Sequence, residues 1–520
     1  MLQMQHAPPR VCFRGIARTS PLGARLEAAV SSNAVVVEGE STAAASKPWA
    51  RVVSASDLQW WDARHELVRP VRFTTDAAVA EDVDIVIDFF GNDPPGGFSG
   101  RYWRVVDRSG EAILNPFCLL EDCSRVPFVA SVFLIEARPA ASGWTVLAEA
   151  HISNRHWYRR LLRRVGTVAA QLVASALQRD GTGRDWASEI VPITRARSNT
   201  GILVGRLRAF LARFVTIARE TALNDYWAIG ILDAPVDALT RSQALRADRW
   251  IESPSAGSYV ADPFPWPGRA DVVLCERYDY RRAIGVLRAL RLAGDTVTEE
   301  YPVDLGIPGL HLSYPCTFRE DGRVFLLPEM AASHSLVLFE LLPANAVRAL
   351  SVIESGTPAD DPTLFKHDGR YWIAYSDRRL GSHENLCLLH SHQLEGPWIP
   401  HPLNPVKIDV RSSRSGGTPF SLDGKLYRPA QDCSATYGGA LVVNHVRVCT
   451  PISYEEEPIA VLRPDPHGPF PRGVHTITVD GGRVVFDGKR FFFDPRRLWK
   501  RMNTYLGTVR RSRRGPRCAS

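Results

Sequence analysis

Apolar positions fall into three regimes along the chain. Up to residue 150, short apolar runs (Val11-Cys12-Phe13, then 34–37 and 83–90) are separated by a stretch of helical spacing over 22–31. Strand, helix, strand in this order predicts an α/β layer with a partly parallel sheet. Asp93-Pro94-Pro95-Gly96-Gly97 forces a loop after the third run. Next comes an amphipathic helix over 155–178, with Leu161, Val165, Val168, Leu172 and Ala176 on one face and Arg159, Arg160, Arg163 and Arg164 near its start. A second helix is expected over 202–220, where Leu203, Leu207, Phe210, Phe214 and Ile217 are in register, with a polar linker over 178–199 between the two. From Tyr226 onward the helical period disappears and short β-rich segments recur.

These segments repeat. Asp262-Pro263-Phe264, Tyr314-Pro315-Cys316-Thr317-Phe318, Asp361-Pro362-Thr363-Leu364-Phe365 and Thr418-Pro419-Phe420 each open a unit. In the last three, an Asp-Gly pair (Asp321-Gly322, Asp368-Gly369, Asp423-Gly424) follows, and then an aromatic or β-branched run. A weaker fifth unit lies around Val474-His475-Thr476 and Asp480-Gly481. Asp-Gly supplies the positive φ angles of a tight hairpin turn, and the flanking residues alternate as paired strands do. The proline is expected where the first strand enters, so that no ladder donor is lost. Each unit spans about 40–60 residues, the length of a four-stranded blade, and radially repeated blades make a β-propeller. Tyr226 to Leu232 is expected to close the ring with the fifth unit. The expected organisation is multidomain: an α/β, Rossmann-like domain over 10–150, a helical bridge over 151–222, a five-bladed β-propeller over 223–495 and a basic tail over 496–520.

Composition refines this reading. At 520 residues the chain is too long for one core, and 45% hydrophobic with 23% charged residues is ordinary for a globular protein. The net charge of +7 is local: the tail carries nine Lys or Arg and no acid, and the remainder balances 54 basic against 56 acidic residues. That argues against specific nucleic-acid binding and leaves the tail as a solvated segment or a weak contact with an acidic membrane surface. The nine cysteines are scattered, without a CxxC pair, and read as reduced thiols. No apolar run is long enough to span a bilayer, and the N-terminus has no secretory pattern, so a cytoplasmic, membrane-peripheral location is the expectation.

In a propeller the innermost strands line a central funnel. The proline-containing segments would set Asp262, Tyr314, Asp361 and Thr418 around one end of it, with Glu329 and Asp432 a strand later. Several carboxylates around one funnel suit sugar chemistry, which needs an acid and a base or nucleophile across the scissile bond. Asp262, Glu329 and Asp361 are therefore the catalytic candidates. His311, Tyr314, Gln431, Asp432 and His475 are candidates for substrate contacts. Trp266 and Trp372 are candidates for stacking on sugar faces, or else core residues. The Asp-Gly aspartates are structural, an Asp before Pro also caps turns, and no metal or cofactor is expected.

Residues 226–495 resemble the N-terminal domain of plant glucosamine inositolphosphorylceramide transferases and its bacterial relatives. The resemblance is carried by Ala261-Asp262-Pro263-Phe264, His311-Leu312-Ser313-Tyr314-Pro315, Leu327-Pro328-Glu329, Gly396-Pro397-Trp398 with Asn404-Pro405, Gly416-Gly417-Thr418-Pro419-Phe420, and Gln431-Asp432-Cys433 with Thr436-Tyr437-Gly438. The domain is also similar to the five-bladed propellers of glycoside hydrolases acting on arabinans and fructans. That likeness implies that Asp262 is base or nucleophile and that Asp361 orients the acid. For the acid itself, Glu329 is the candidate. The first 150 residues resemble a formyltransferase-like domain, on 83–91 and on Gly96-Gly97-Phe98 through Trp103-Arg104-Val105-Val106. The Asn-x-His motif that formyl transfer needs is missing there, and the nearest histidines, His151 and His156, come later, so a degenerate domain is expected.

Three functions stay open at this stage. One is a propeller acting on a glycan or glycolipid in glycosyl transfer or hydrolysis. Another is a non-catalytic glycan-binding module that serves a partner glycosyltransferase. The third is formyl transfer to an amino sugar.

Overall fold

The computed structural model describes residues 223–493 almost without a break. Before them it describes residues 10–14, 25–28, 35–36, 84–89, 99–113, 129–138, 143–154 and 158–178, with scattered positions from 184 to 222. His156 and the basic tail lie outside the described residues. The chain divides into two compact units, Met1–Ala209 and Phe210–Ser520.

The first unit holds a seven-stranded mixed sheet. Strand Arg10–Arg14 lies between Val35–Val36 and Ile85–Asp88, and Ile85–Asp88 pairs with Arg101–Asp107, all of these parallel. Val129–Arg138, Gly143–Ser153 and Arg184–Asp185 then extend the sheet antiparallel. Ile85, Val86 and Ile87 are buried, as expected of a strand in the parallel part of a sheet. Helix α1, Tyr158–Gln178, buries Leu161, Val165, Val168, Leu172 and Ala176, and packs on the two long antiparallel strands. The partly parallel sheet is as the sequence predicts, whereas most residues of the connections that would define its class lie outside those described. His151 is buried in this sheet with its Nδ1 2.9 Å from Ser131 Oγ.

The second unit is five four-stranded antiparallel blades. From the inside outward, blade 1 is Ser258–Trp266, Arg269–Asp279, Ile284–Ala293 and Thr296–Pro302. Blade 2 is Ser313–Glu320, Arg323–Glu329, Ser335–Leu341 and Val347–Ser355. Blade 3 is Ala359–His367, Arg370–Asp377, Asn385–Ser391 and Ile399–Pro400, with Lys407–Ile408 also on the third strand. Blade 4 is Phe420–Leu422, Lys425–Asp432, Ala440–Cys449 and Tyr454–Pro464, edged by Gln243–Leu245 in parallel. Blade 5 takes its two inner strands, Ile477–Asp480 and Arg483–Phe493, from the end of the propeller and its two outer strands, Leu223–Asp233 and Arg249–Ile251, from the beginning. Tyr226 to Leu232 thus closes the ring, as the sequence suggests.

Apolar clusters fill the gaps between blades. Val260, Val273, Ile229 and Ile231 pack between blades 5 and 1, Leu274, Leu287 and Phe339 between 1 and 2, and Phe325, Leu364 and Ile373 between 2 and 3. Trp372 and Leu388 pack with Leu426 between 3 and 4, and Leu441 and Val443 with Ile477 and Phe486 between 4 and 5. Each such large side chain, fully buried, contributes about 1.5–3 kcal/mol. The Asp-Gly pairs form the predicted turns, with φ of 48° and 77° at Asp321-Gly322, 47° and 71° at Asp368-Gly369, and 51° and 72° at Asp423-Gly424. These are the paired positive values of a type I′ hairpin.

One detail differs from expectation. In blades 1 to 3 the prolines do not open the inner strands, which begin earlier, at Ser258, Ser313 and Ala359, whereas Pro419 of blade 4 sits just before its strand, as expected. Pro263, Pro315 and Pro362 lie mid-strand, where the ladder register breaks between Ala261 and Phe264, Ser313 and Cys316, and Asp360 and Thr363. A bulge leaves its residues outside the ladder, so a missing N–H costs nothing there.

Candidate functional site at the propeller axis

The three bulges are the local device that builds the site. Asp262, Tyr314 and Asp361, each the residue before the proline, have φ of 51°, 44° and 47°. Positive φ is costly for these residue types and persists only where surroundings over-determine it. Here the surroundings are hydrogen bonds from neighbouring blades. Asp262 N donates to Asp487 Oδ2 of blade 5 at 3.1 Å, Tyr314 N to Asp262 Oδ2 at 3.3 Å, and Asp361 N to Glu329 Oε2 at 3.1 Å. Each bulge is thus held by a carboxylate of the preceding blade. The Tyr314 hydroxyl completes the ring: it lies 2.9 Å from Thr363 Oγ1 and accepts from Gly417 N at 2.7 Å.

Second strands supply a further tier. Glu276 pairs in register with Ala261, Glu329 with Ser313, and Asp487 N bonds Thr476 O. Gln431 occupies this tier in blade 4 and donates to Asp361 Oδ2 at 2.5 Å. All four are buried. The sequence pattern singled out Glu329 and Gln431 but passed over Glu276 and Asp487, which follow their bulges by fourteen residues in blade 1 and precede the ring closure in blade 5.

Around Asp361 the site is rich in cations. Arg414 grips Asp361 with Nε 2.6 Å from Oδ2 and Nη2 3.0 Å from Oδ1, the two-pronged pairing that suits a guanidinium. Arg414 also lies 3.7 Å from Glu329, and Arg378 reaches Glu329 at 3.3 Å and bonds Asp360. Burial alone would raise the Asp361 pKa, but Arg414 outweighs it and holds the carboxyl below its usual range. Glu329 goes the other way: burial first, then the charges of Asp361 and Asp360, push its pKa well up.

Among the described residues, no arginine partners Asp262. Thr476 Oγ1 donates to Asp262 Oδ1 at 2.7 Å, and His475 Nε2 lies 3.4 Å from the same oxygen. His475 Nδ1 lies 2.5 Å from Asp487 Oδ2, with Trp227 stacked on the imidazole at 4.0 Å between centroids. Burial pushes the Asp262 pKa up to about 6, with Asp361 and Asp487 adding to the rise and His475 opposing it. Burial opposes charge on His475, yet Asp487 and Asp262 raise its pKa above the ordinary value. Asp262, His475 and Asp487 bring ligand-type atoms within 4.8 Å of one another, so they are the trio among the described residues best placed to hold a cation. The sequence reading expected no metal and had no means of finding this trio, whose members come from opposite ends of the propeller.

The remaining candidates divide. His311 is half-exposed; its Nδ1 accepts from Gly285 N at 2.8 Å, its Nε2 is 3.7 Å from Glu276, and burial followed by Arg378 lowers its pKa. Asp432 does not join the tier, because neighbours on a strand face opposite ways; its Oδ1 accepts from Ser434 N at 2.9 Å. Thr418 bonds the Cys316 thiol instead of joining the carboxylates. Trp266 and Trp372 are buried in the cores between blades and cannot stack on a ligand.

Blade 4 carries Thr418 before its proline, and the two glycines ahead of it are tightly enclosed. A Cβ on Gly417, whose φ is 128°, would sit 1.7 Å from the Ile477 carbonyl oxygen. A Cβ on Gly416 would sit 2.5 Å from Leu441 Cδ2. The inner strand of blade 5 runs too close to Gly417 for a side chain there, and Ile477 N donates to Gly416 O at 2.9 Å. The groups that blade 4 sends to the centre are Arg414 and Gln431.

This geometry defines the class: a five-bladed propeller whose bulged inner strands converge on a buried carboxylate cluster. Residues 250–467 match the family described as glucosamine inositolphosphorylceramide transferase 1, N-terminal. Glucosamine inositolphosphorylceramide transferase 1 of Oryza sativa subsp. indica is 31% identical over 220 residues, which cover 40% of this chain and 29% of the rice protein. The protein of the same name from Arabidopsis thaliana is 33% identical over 151 residues, 28% of this chain and 20% of its own. The chain therefore spans less than a third of the curated relatives it matches. Among solved structures, a thermostable family-43 glycoside hydrolase aligns over 42% of this chain and 78% of its own at 12% identity, with a TM-score of 0.30. A family 117 glycoside hydrolase from the marine bacterium Zobellia galactanivorans aligns over 51% and 90% at 10% identity, with a TM-score of 0.32.

Proposed function

We propose that the propeller binds a glycan or glycolipid at the carboxylate cluster and serves glycosyl transfer, with Asp262 as the base that takes a proton from an acceptor hydroxyl. The observation that carries this reading is the environment of Asp262. Among the described residues it has no arginine partner; it has an imidazole beside it and a pKa of about 6, close to that of an effective base at neutral pH. Asp361, clamped by Arg414, stays ionised and serves to position. Glu329 sits between two guanidiniums and holds the Asp361 bulge. The matched family, described as glucosamine inositolphosphorylceramide transferase 1, N-terminal, supports a carbohydrate or glycolipid ligand.

The test is a glycan and glycolipid binding screen on the full chain, followed by product detection for each hit. Asp262→Asn is expected to keep binding and to lower turnover by roughly 10²–10⁴. A ligand that binds but is never elongated or cleaved by the unaltered protein would make the propeller an acceptor-presenting module for a partner glycosyltransferase. Absence of binding to any glycan would overturn the reading.

A further inference from the structure

The helical positions just ahead of the propeller carry apolar side chains that the fold leaves uncovered. Phe210, Leu211, Phe214 and Val215 are 51%, 52%, 62% and 64% exposed. Spacings of three and four residues put these on one stripe of a helix. By contrast, the apolar face of α1 is buried. A run of contiguous exposed aromatic and aliphatic side chains on a globular protein marks a surface that meets something else.

Charge identifies what it meets. Residues 191–223 contain six arginines, Arg195, Arg197, Arg206, Arg208, Arg213 and Arg219, against one acid, Glu220. A second copy of this chain would bring the same positive charges into opposition, so self-association through the stripe is disfavoured. An anionic bilayer surface answers both properties at once. Its acyl boundary takes the apolar stripe and its headgroups neutralise the arginines. No helix among the described residues is long and apolar enough to cross a membrane, so the segment would lie in the interface. Arg219, over the Phe491 ring at 5.4 Å, ties the end of the segment to the closing strand of blade 5.

We propose that the helical positions Phe210, Leu211, Phe214 and Val215 form an interfacial stripe that seats the protein on an anionic membrane surface. This inference stands apart from the glycan reading and does not depend on it. The experiment is flotation of the full chain with phosphatidylcholine vesicles, with and without phosphatidylserine. The unaltered protein is expected to float with the anionic vesicles only, and less so as salt rises. Leu211→Glu with Phe214→Glu is expected to weaken this about tenfold or more, and Leu211→Ala with Phe214→Ala to weaken it by less. Replacing Arg510, Arg511, Arg513 and Arg514 by Ser is expected to leave most of the binding in place. Urea midpoints equal to the parent's show that each variant is folded. The proposal is overturned if the parent ignores anionic vesicles, if the Glu pair binds as well as the parent, or if the tail variant alone abolishes binding. It is equally overturned if light scattering shows a dimer that the Glu pair converts to monomer, since a second copy would then cover the stripe.

Discussion

Asp262 and Asp361 occupy the same place in blades 1 and 3. Each precedes a proline, each has positive φ, each interrupts its inner ladder, and each is almost fully buried. Their surroundings differ. Asp361 faces blade 4, which sends Arg414 into the centre, and blade 2, whose Glu329 shares that cation. Asp262 faces blade 5, which offers a hydroxyl and an imidazole backed by a second carboxylate. The backbone is repeated and the electrostatics are not. One aspartate is fixed in its charged form, and the other is left able to gain and lose a proton near neutrality. A repeated fold can thus supply both a positioning group and a reactive one from the same structural slot, by changing what the next blade contributes.

Arg414→Met breaks this contrast most severely. It leaves Asp361, Glu329 and Asp360 buried without their shared cation, and a loss of about 3–5 kcal/mol is expected, read as a lowered urea midpoint. Adding Asp361→Asn should return at least about 1 kcal/mol. A double variant no more stable than the single would show that the pair is not what the guanidinium holds.

The next effect concerns pH. With Asp262 raised from 3.8 to about 6, the native state binds more protons than the unfolded chain between those values. Stability therefore falls as pH rises through that window, by on the order of 2–3 kcal/mol. His475, also raised, acts in the same direction: its contribution is full below its unfolded value and is lost as pH rises through the folded one. Asp361, lowered, acts oppositely: its contribution is present above its unfolded value and is lost as pH falls through the folded one. Glu276 and Glu329, both raised, add to the downward slope, so the difference between variants is the quantity to read. Asp262→Asn should flatten the slope between about pH 4 and 6, and Asp361→Asn should reduce it by less, through the loss of its charge beside Asp262. Equal slopes in the two variants would erase the distinction between the aspartates.

The smallest effect tests the link between the two halves. Tyr314→Phe removes the hydroxyl that accepts from Gly417 N and contacts Thr363. The buried N–H is left without that acceptor, and about 1–2 kcal/mol of stability should be lost, again by urea unfolding. No loss would mean that the ring closes without this tyrosine.

Much of this was legible in the chain. The blade count, the Asp-Gly hairpins and the strand that closes the ring follow from local turn chemistry and from a repeat, both of which are properties of neighbouring residues. The pre-proline aspartates were legible for the same reason. Arg414 was not, because its role comes from its position across a blade boundary, 53 residues from the carboxylate it clamps. Glu276 and Asp487 look in sequence like ordinary strand-end acids, and only the register with Ala261 and Thr476 brings them to the axis. Trp266 and Trp372 carried the opposite lesson: an aromatic residue's type does not reveal which face of the blade it occupies, and both belong to cores.

The closing blade also sets a timetable for synthesis. Strand Leu223–Asp233 pairs on its inner side with Arg483–Phe493, which the ribosome makes about 260 residues later. At 5–20 residues per second, the apolar run Trp227-Ala228-Ile229 waits roughly 13–50 s for that partner. During that interval the ring cannot close, and a strand with its inner edge unpaired and a Trp-Ala-Ile run is the kind of segment that chaperones shield. The nascent chain is therefore most vulnerable late in translation, and slowing or truncating its last blade would harm folding out of proportion to the residues removed.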